Sequence, residues 1–207
     1  MSTHHPRSYV ESGLVSALDR TLRDAGFARS GQSVVYTRNL NQAIQTIQLL
    51  VDYFPRYEPR AEAHIRPTIH VRIPSVSEQA LRLVHGDRSL LSNAPDVILN
   101  QPLDLFAPKD KHERWFAFNA QTFSSTCESI RTFLQDWGIT FLSTFSGPSD
   151  IVKKYEDRDS QIVSTPRWFI FVAAAYQLLD QEVEAAQVLE RHLGKPGLRK
   201  RFAKVLG

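Results

Sequence analysis

The 207-residue chain holds one cysteine and one methionine, and its longest apolar run is the nine residues Trp168–Tyr176. A lone Cys127 can close no internal disulfide and supply no multi-thiolate zinc site, and it suits a reducing compartment. Nine apolar residues fall far short of the roughly 20 that a membrane-spanning helix needs, and Met1–Arg7 lacks the apolar core of a secretory signal. The expectation is a cytoplasmic protein without a membrane segment. Charge of one sign is scarce too: 25 Lys and Arg face 22 Asp and Glu. Six basic residues and no acidic one lie in Arg191–Gly207, so residues 1–190 carry 19 basic against 22 acidic side chains and the basic character belongs to the tail. GxSxG, Walker A and GxGxxG patterns are all missing, and with them any sequence reason to expect a cofactor or a catalytic residue.

Composition is that of a globular protein, 42% hydrophobic and 23% charged, and a chain of this length buries roughly 70% of its unfolded surface without staples. Leu14, Leu18 and Leu22 recur at helical spacing within Val10–Ala25, and Gly26 supplies a left-handed stop after which Phe27 folds back. Ser33–Arg38 and Gln42–Tyr53 read as a hairpin around Asn39-Leu40-Asn41. From Ala63 to Ile73, Ile65, Pro67, Ile69, Val71 and Ile73 alternate with His64, Arg66, Thr68, His70 and Arg72, so one face packs while the other is wet or binds something. Pro67 has no N–H for a ladder, which predicts an edge strand or a bulge.

Ser75–Glu78 and Ser125–Glu128 have capping-box spacing. The first opens a short helix and the second a helix carrying Cys127, Ile130, Leu134 and Trp137 on one face, with Gly138 at its end. Between them Asp87–Glu113 reads as a long loop with a helical turn near Asp96–Leu99, followed by a last strand at Trp115–Phe118. Ser149 is placed to cap a short helix through Tyr155, and Thr165-Pro166 to start the helix Arg167–Leu179. A helix Glu182–Leu193 and a basic turn or two follow. The reading is α+β: an antiparallel sheet with an N-terminal helix packed on it over residues 8–146, and a C-terminal helical hairpin over 147–207 packed on that domain. Ala173–Ala175, Ala185 and Ala186 allow the two helices to approach closely, similar to a single tetratricopeptide-style hairpin, which is too little for a solenoid.

The helix, Gly26-Phe27, the hairpin with Tyr36-Thr37-Arg38 and Gln48, and the long alternating strand resemble the bacterial family known as domain of unknown function 4304. Trp115, the stretch Gly138-Ile139-Thr140-Phe141-Leu142 and the closing helical pair extend the likeness, which covers residues 10–145 most fully. The resemblance implies a small α+β domain with an antiparallel sheet. It brings no established reaction and no catalytic residue. Some similar proteins are encoded beside secreted toxins, which implies an immunity role.

His64, Arg66, His70 and Arg72 are the candidate binding residues, because side chains two apart on a strand share a side and arginine offers a bidentate fork to phosphate, carboxylate or an acidic protein surface. A solvated sheet face is the bland alternative. His64 and His70 lie about 20 Å apart along a strand and His4-His5 is an adjacent pair, so no metal site is expected. Cys127 reads as a core thiol in a first helical turn. The charged run Lys153–Asp159 reads as a solvated linker, and Arg199-Lys200-Arg201 with Lys204 as the basic end of a helix rather than a nucleic-acid contact. Two function classes stay open. One is a non-enzymatic protein-binding module, concretely an immunity protein against a toxin-like partner. The other is an enzyme or nucleotide/anion-binding protein that uses the strand face.

Overall fold

The computed structural model describes residues 6–31, 33–108 and 113–206, so the His4-His5 pair lies outside the described residues. Helix α1 (Pro6–Asp24) is followed by β1 (Ala28–Arg29), β2 (Val35–Leu40), β3 (Ala43–Tyr53) and β4 (Ala63–Arg72). Then come α2 (Pro74–Leu83), β5 (Leu99–Pro102), α3 (Leu103–Phe106), β6 (Trp115–Ala117) and α4 (Ala120–Phe133). The chain continues through α5 (Ile139–Ser143), α6 (Pro148–Glu156), α7 (Pro166–Gln177), α8 (Glu182–Leu193), α9 (Pro196–Arg199) and α10 (Ala203–Leu206). The class is α+β, with an antiparallel six-stranded sheet in the order β1-β2-β3-β4-β5 and β6 also paired to β4. No helix among the described residues is long and apolar enough to cross a membrane.

Two compact units emerge, each assembled from separated stretches. The first takes the chain up to Asn39, Gln45–His70 and Asn100–Ser143; the second takes Leu40–Ile44, Val71–Leu99 and everything from Thr144 on. The second unit thus includes residues 71–99, which the sequence division groups with the sheet domain.

In the first unit α1 packs on α4 and β1 through the fully buried Leu14, Leu18 and Leu22. Its end is a Schellman turn: Phe27 N–H donates to Leu22 O at 2.9 Å and Gly26 N–H to Arg23 O at 2.8 Å, with Gly26 at φ 84°. Arg38 ties this turn to the sheet and to the end of the helical segment. Its Nη1 donates to Ala25 O, its Nε to Gln45 Oε1 and its Nη2 to Ser143 Oγ, while its guanidinium lies 4.5 Å from the Phe27 ring centre. Gln45 is itself fully buried and donates to Leu142 O at 2.7 Å. Burial holds the Arg38 pKa below its ordinary value.

Several local expectations are corrected. Helix α4 starts five residues before Ser125, where the Asn119 side chain accepts from Thr122 N–H and Thr122 Oγ1 accepts from Asn119 N–H; the capping box is this pair. Cys127 therefore sits beyond the first turn, out of reach of the helix N-terminal field. Gly138 does not end the helix: the chain passes through a π-helical turn, Leu134–Gly138, into α5. A Cβ at Gly138 would stand 3.0 Å from Leu134 and 3.4 Å from Leu103, so the glycine answers a close approach. Helix α2 starts at Pro74 with no side-chain cap, because proline already supplies the helical φ and lacks one of the orphan donors. In α6, likewise, Gly147 is the cap residue and Pro148 the first helical position, while Ser149 caps nothing.

Pro67 is the largest correction, since β4 is not an edge strand. On one side β4 pairs with β3; on the other, Ala63–Ile65 pair with β6, while Ile98 N–H donates to Val71 O beside β5. Pro67 lies past the β6 pairing, which ends at Ile65, so that ladder asks no donor of it. The expected helical turn at Asp96–Leu99 is instead the run into β5, and a 3-10 turn lies earlier, at Arg88–Leu91.

In the second unit α7 contacts α2, α6 and α8. Ala173–Ala175 and Ala185 are buried as close helix packing requires, but Ala186 is exposed. Thr165 caps α7 by accepting from Trp168 N–H, with Pro166 at the first position. The basic tail is anchored by the buried Phe202 and by Arg199 donating to Glu190 at 2.9 Å.

The Arg38 network and the Asn119 cap differ in what their loss leaves behind. Arg38→Leu removes the donor to Gln45 Oε1, the Ala25 carbonyl and the Ser143 hydroxyl, so it should cost about 2–3 kcal/mol. Asn119→Ala should cost about 1 kcal/mol. Urea unfolding of the two variants checks that order.

Candidate functional site

The even-numbered face of β4 is graded rather than uniformly wet. His64 is only 6% exposed, Arg66 and His70 are half-buried, Thr68 is buried and Arg72 is exposed. Two elements cover the start of the strand. Phe116 of β6, in register with His64, stacks on its imidazole with ring centres 4.5 Å apart. The loop 54–62 then folds back over it: Glu58 N–H donates to Pro55 O, Ala61 N–H to Glu58 O, and Phe54 N–H to Glu62 O. That loop delivers Tyr57, whose ring stands edge-on to both His64 and Phe116.

The Tyr57 hydroxyl lies 3.0 Å from Asp52 Oδ2 and 2.7 Å from His64 Nδ1. A carboxylate can only accept, so the phenol proton points to Asp52. The Nδ1–H of His64 must then donate to the phenol oxygen, which leaves Nε2 as a bare acceptor. Burial lowers the His64 pKa, and the nearby guanidinium groups of Arg66 and Arg114 add to the effect, which fits a neutral imidazole. The Tyr57 pKa is raised by desolvation of its hydroxyl, with the hydrogen bond to Asp52 and its negative charge contributing.

Tyr57, His64, Arg66, Asp104, Arg114 and Phe116 surround a cavity of about 420 Å³ in the first unit. His64 Nε2, Arg66 Nε and Asp104 Oδ1 are buried polar atoms with no protein partner. Three residues that line the cavity therefore each carry a buried polar atom, two acceptors and one donor, that no protein group satisfies. Among the described residues no three His, Cys, Asp or Glu side chains are grouped so as to hold a metal ion.

The four sequence candidates are not one constellation. His64 and Arg66 meet at this cavity. His70 stands roughly 13 Å beyond Arg66 along the strand, and its pKa is lowered by burial. Arg72 belongs to the second unit, where its Nε lies 3.6 Å from Asp96 in an exposed ion pair. Sequence reasoning missed Asp52, Tyr57, Asp104, Arg114 and Phe116, which come from four separate stretches. The only local hint was Pro102 followed by Leu-Asp-Leu-Phe, a helical turn hidden in the supposed loop. Cys127 is buried, and burial pushes its thiol up to about 11, which keeps it protonated and unreactive at neutral pH.

No family model, curated protein or solved structure matches the chain.

His64, His70 and His192 all have pKa values depressed by burial. The folded protein thus binds fewer protons than the unfolded chain once pH drops below about 6.5, the ordinary histidine value. The stability contributed by their neutral burial is present above that pH and is lost as pH falls through the folded-state values. Melting temperatures between pH 8 and pH 5 should fall toward acid, and His64→Gln should show a shallower fall than the parent protein. An equal slope would mean that His64 stays protonated alike in both states.

Proposed function

We propose that the chain is a non-enzymatic protein-binding module whose docking surface is the rim of the His64 cavity. The observation that carries this reading is a cluster of exposed apolar side chains beside unpaired arginines. Tyr57 and Leu105, each 59% exposed, line the cavity with Arg66 and Arg114, and Phe118, 37% exposed, lies 6.1 Å from the lining Phe116 between ring centres. Aromatic, aliphatic and arginine side chains of this kind anchor protein interfaces. Arg66 and Arg114 have no ion pair among the described residues, while the nearby Glu58 is engaged by Arg60. The complementary surface is therefore apolar at its centre and carries a carboxylate for the two guanidinium groups.

Neutralisation of a toxin-like protein in a bacterial cytoplasm is the concrete form of this reading, suggested by the likeness to domain of unknown function 4304. A second reading, a small polar ligand held as the partner of His64 Nε2, Arg66 Nε and Asp104 Oδ1, is favoured by those three buried atoms.

Leu105→Glu and Arg114→Glu alter exposed side chains, so each should change stability by about 0.5 kcal/mol or less. Both should abolish a complex that the parent protein forms with its protein partner at one copy per copy. Arg72→Glu, which lies outside the rim, should retain it. Size-exclusion chromatography with partner titration measures all three. Chemical alteration of the target by far fewer molecules of this protein would replace the binding reading with an enzymatic one.

A further inference from the structure

A larger cavity, about 650 Å³, lies wholly within the second unit between the end of α6, the loop 157–165, α7 and α8. Its floor is aromatic. His192 stacks on Phe169 with ring centres 3.7 Å apart and planes within 7°, and Tyr155 stands edge-on to both, with its hydroxyl 3.0 Å from His192 Nε2. All three are half-buried, so part of each ring surface stays open.

The charged run that the sequence presents as a solvated linker forms one wall. Lys154 and Asp159 neutralise each other at 2.7 Å with only 16% of each side chain exposed, and Glu156 accepts from Tyr176 at 2.9 Å. Arg158 and Arg191 have no ion pair or side-chain hydrogen bond among the described residues; with Lys154 they balance the lining carboxylates Glu156, Asp159 and Glu184, so the cavity is neutral as a whole and holds two arginines without an ion pair. Burial lowers the His192 pKa, and Lys195 and Arg191 add to the effect, which marks the same end as cationic. On α8, Glu184, Val188 and Arg191 recur at helical spacing along the cavity, so an acceptor lies roughly 10 Å from the arginine.

Arg158 takes a left-handed helix-end position, as His85 and Asp180 do at the ends of α2 and α7. Helix α6 closes with Arg158 N–H donating to Tyr155 O and Asp159 N–H donating to Lys154 O, a Schellman turn in which Arg158 takes the left-handed conformation at φ 51°. Glycine suits that position best. An arginine there carries a conformational cost and places a cation at the cavity.

We propose that this cavity is a second binding site, for a small anion that carries an aromatic ring: the ring lies on the Tyr155, Phe169 and His192 floor and the anionic group takes Arg158 and Arg191. A nucleoside monophosphate and an aromatic carboxylate share this chemistry, and the volume is in the range of small-ligand pockets. Calorimetric titration of the full chain with adenosine monophosphate and with indole-3-acetate separates the two, with the His192 ring resonances followed in parallel by NMR. At least one of them should bind and shift His192. Adenosine and inorganic phosphate, each bearing half of the recognised chemistry, should bind at least tenfold more weakly than adenosine monophosphate if that is the ligand. Arg158→Gly is the decisive variant: it suits the left-handed turn, so the melting temperature should hold or rise, while affinity falls at least tenfold. Undisturbed His192 resonances with both probes at millimolar concentration, or unchanged affinity in a folded Arg158→Gly protein, would overturn the proposal.

Discussion

Ten residues of β4 must satisfy β3 on one side and two different strands on the other, and the rest of the first unit follows from how that is done. A central strand with a proline leaves one hydrogen-bond position without a donor. That position lies beyond Ile65, the last residue paired with β6, so the β6 ladder is not broken. The change of partner also sets what stands over the two ends of the polar face. β6 is short and brings Phe116 directly over His64, whereas Arg72 at the far end has only an exposed aspartate beside it. The cavity beside His64 is bordered by Phe116, which this pairing brings there, and by Tyr57 of the loop 54–62.

Buried polar groups set the other constraint. Gln45 is buried and Arg38 half-buried, and each of their side-chain nitrogens reaches an acceptor: two backbone carbonyls, a serine hydroxyl and the amide oxygen of Gln45 itself. Such a network fixes register, since sliding β2 against β3 by one residue would strand every partner. His64, Arg66 and Asp104 are the opposite case, with buried polar atoms left without a protein partner around one cavity.

The capping boxes show how local reading goes astray. Ser75–Glu78 and Ser125–Glu128 have the right spacing, but spacing alone does not say where a helix begins. Pro74 and Asn119 compete for the start with stronger local chemistry, a preset φ in one case and a reciprocal pair of hydrogen bonds in the other. Gly138 misleads for a similar reason, because a glycine needed for close packing against Leu103 and Leu134 looks the same in sequence as one needed for a left-handed turn.

The sequence by itself determined the elements whose signals are local and strong: α1 with its glycine stop, the alternating strand at Ala63–Arg72, the Thr165-Pro166 start of α7, and with them the α+β class. Periodicity, caps and turn residues act over a few positions and can be read there. Tertiary structure alone decided that His64 is buried under Tyr57 and Phe116, that Arg72 belongs with Asp96 and not with Arg66, and that Lys153–Asp159 walls a cavity. Those outcomes depend on which strands become neighbours and which loops fold back. Contacts such as Arg72 with Asp96 and His64 with Phe116 join residues far apart along the chain and are selected by the packing of the whole, and no short stretch of sequence carries that information.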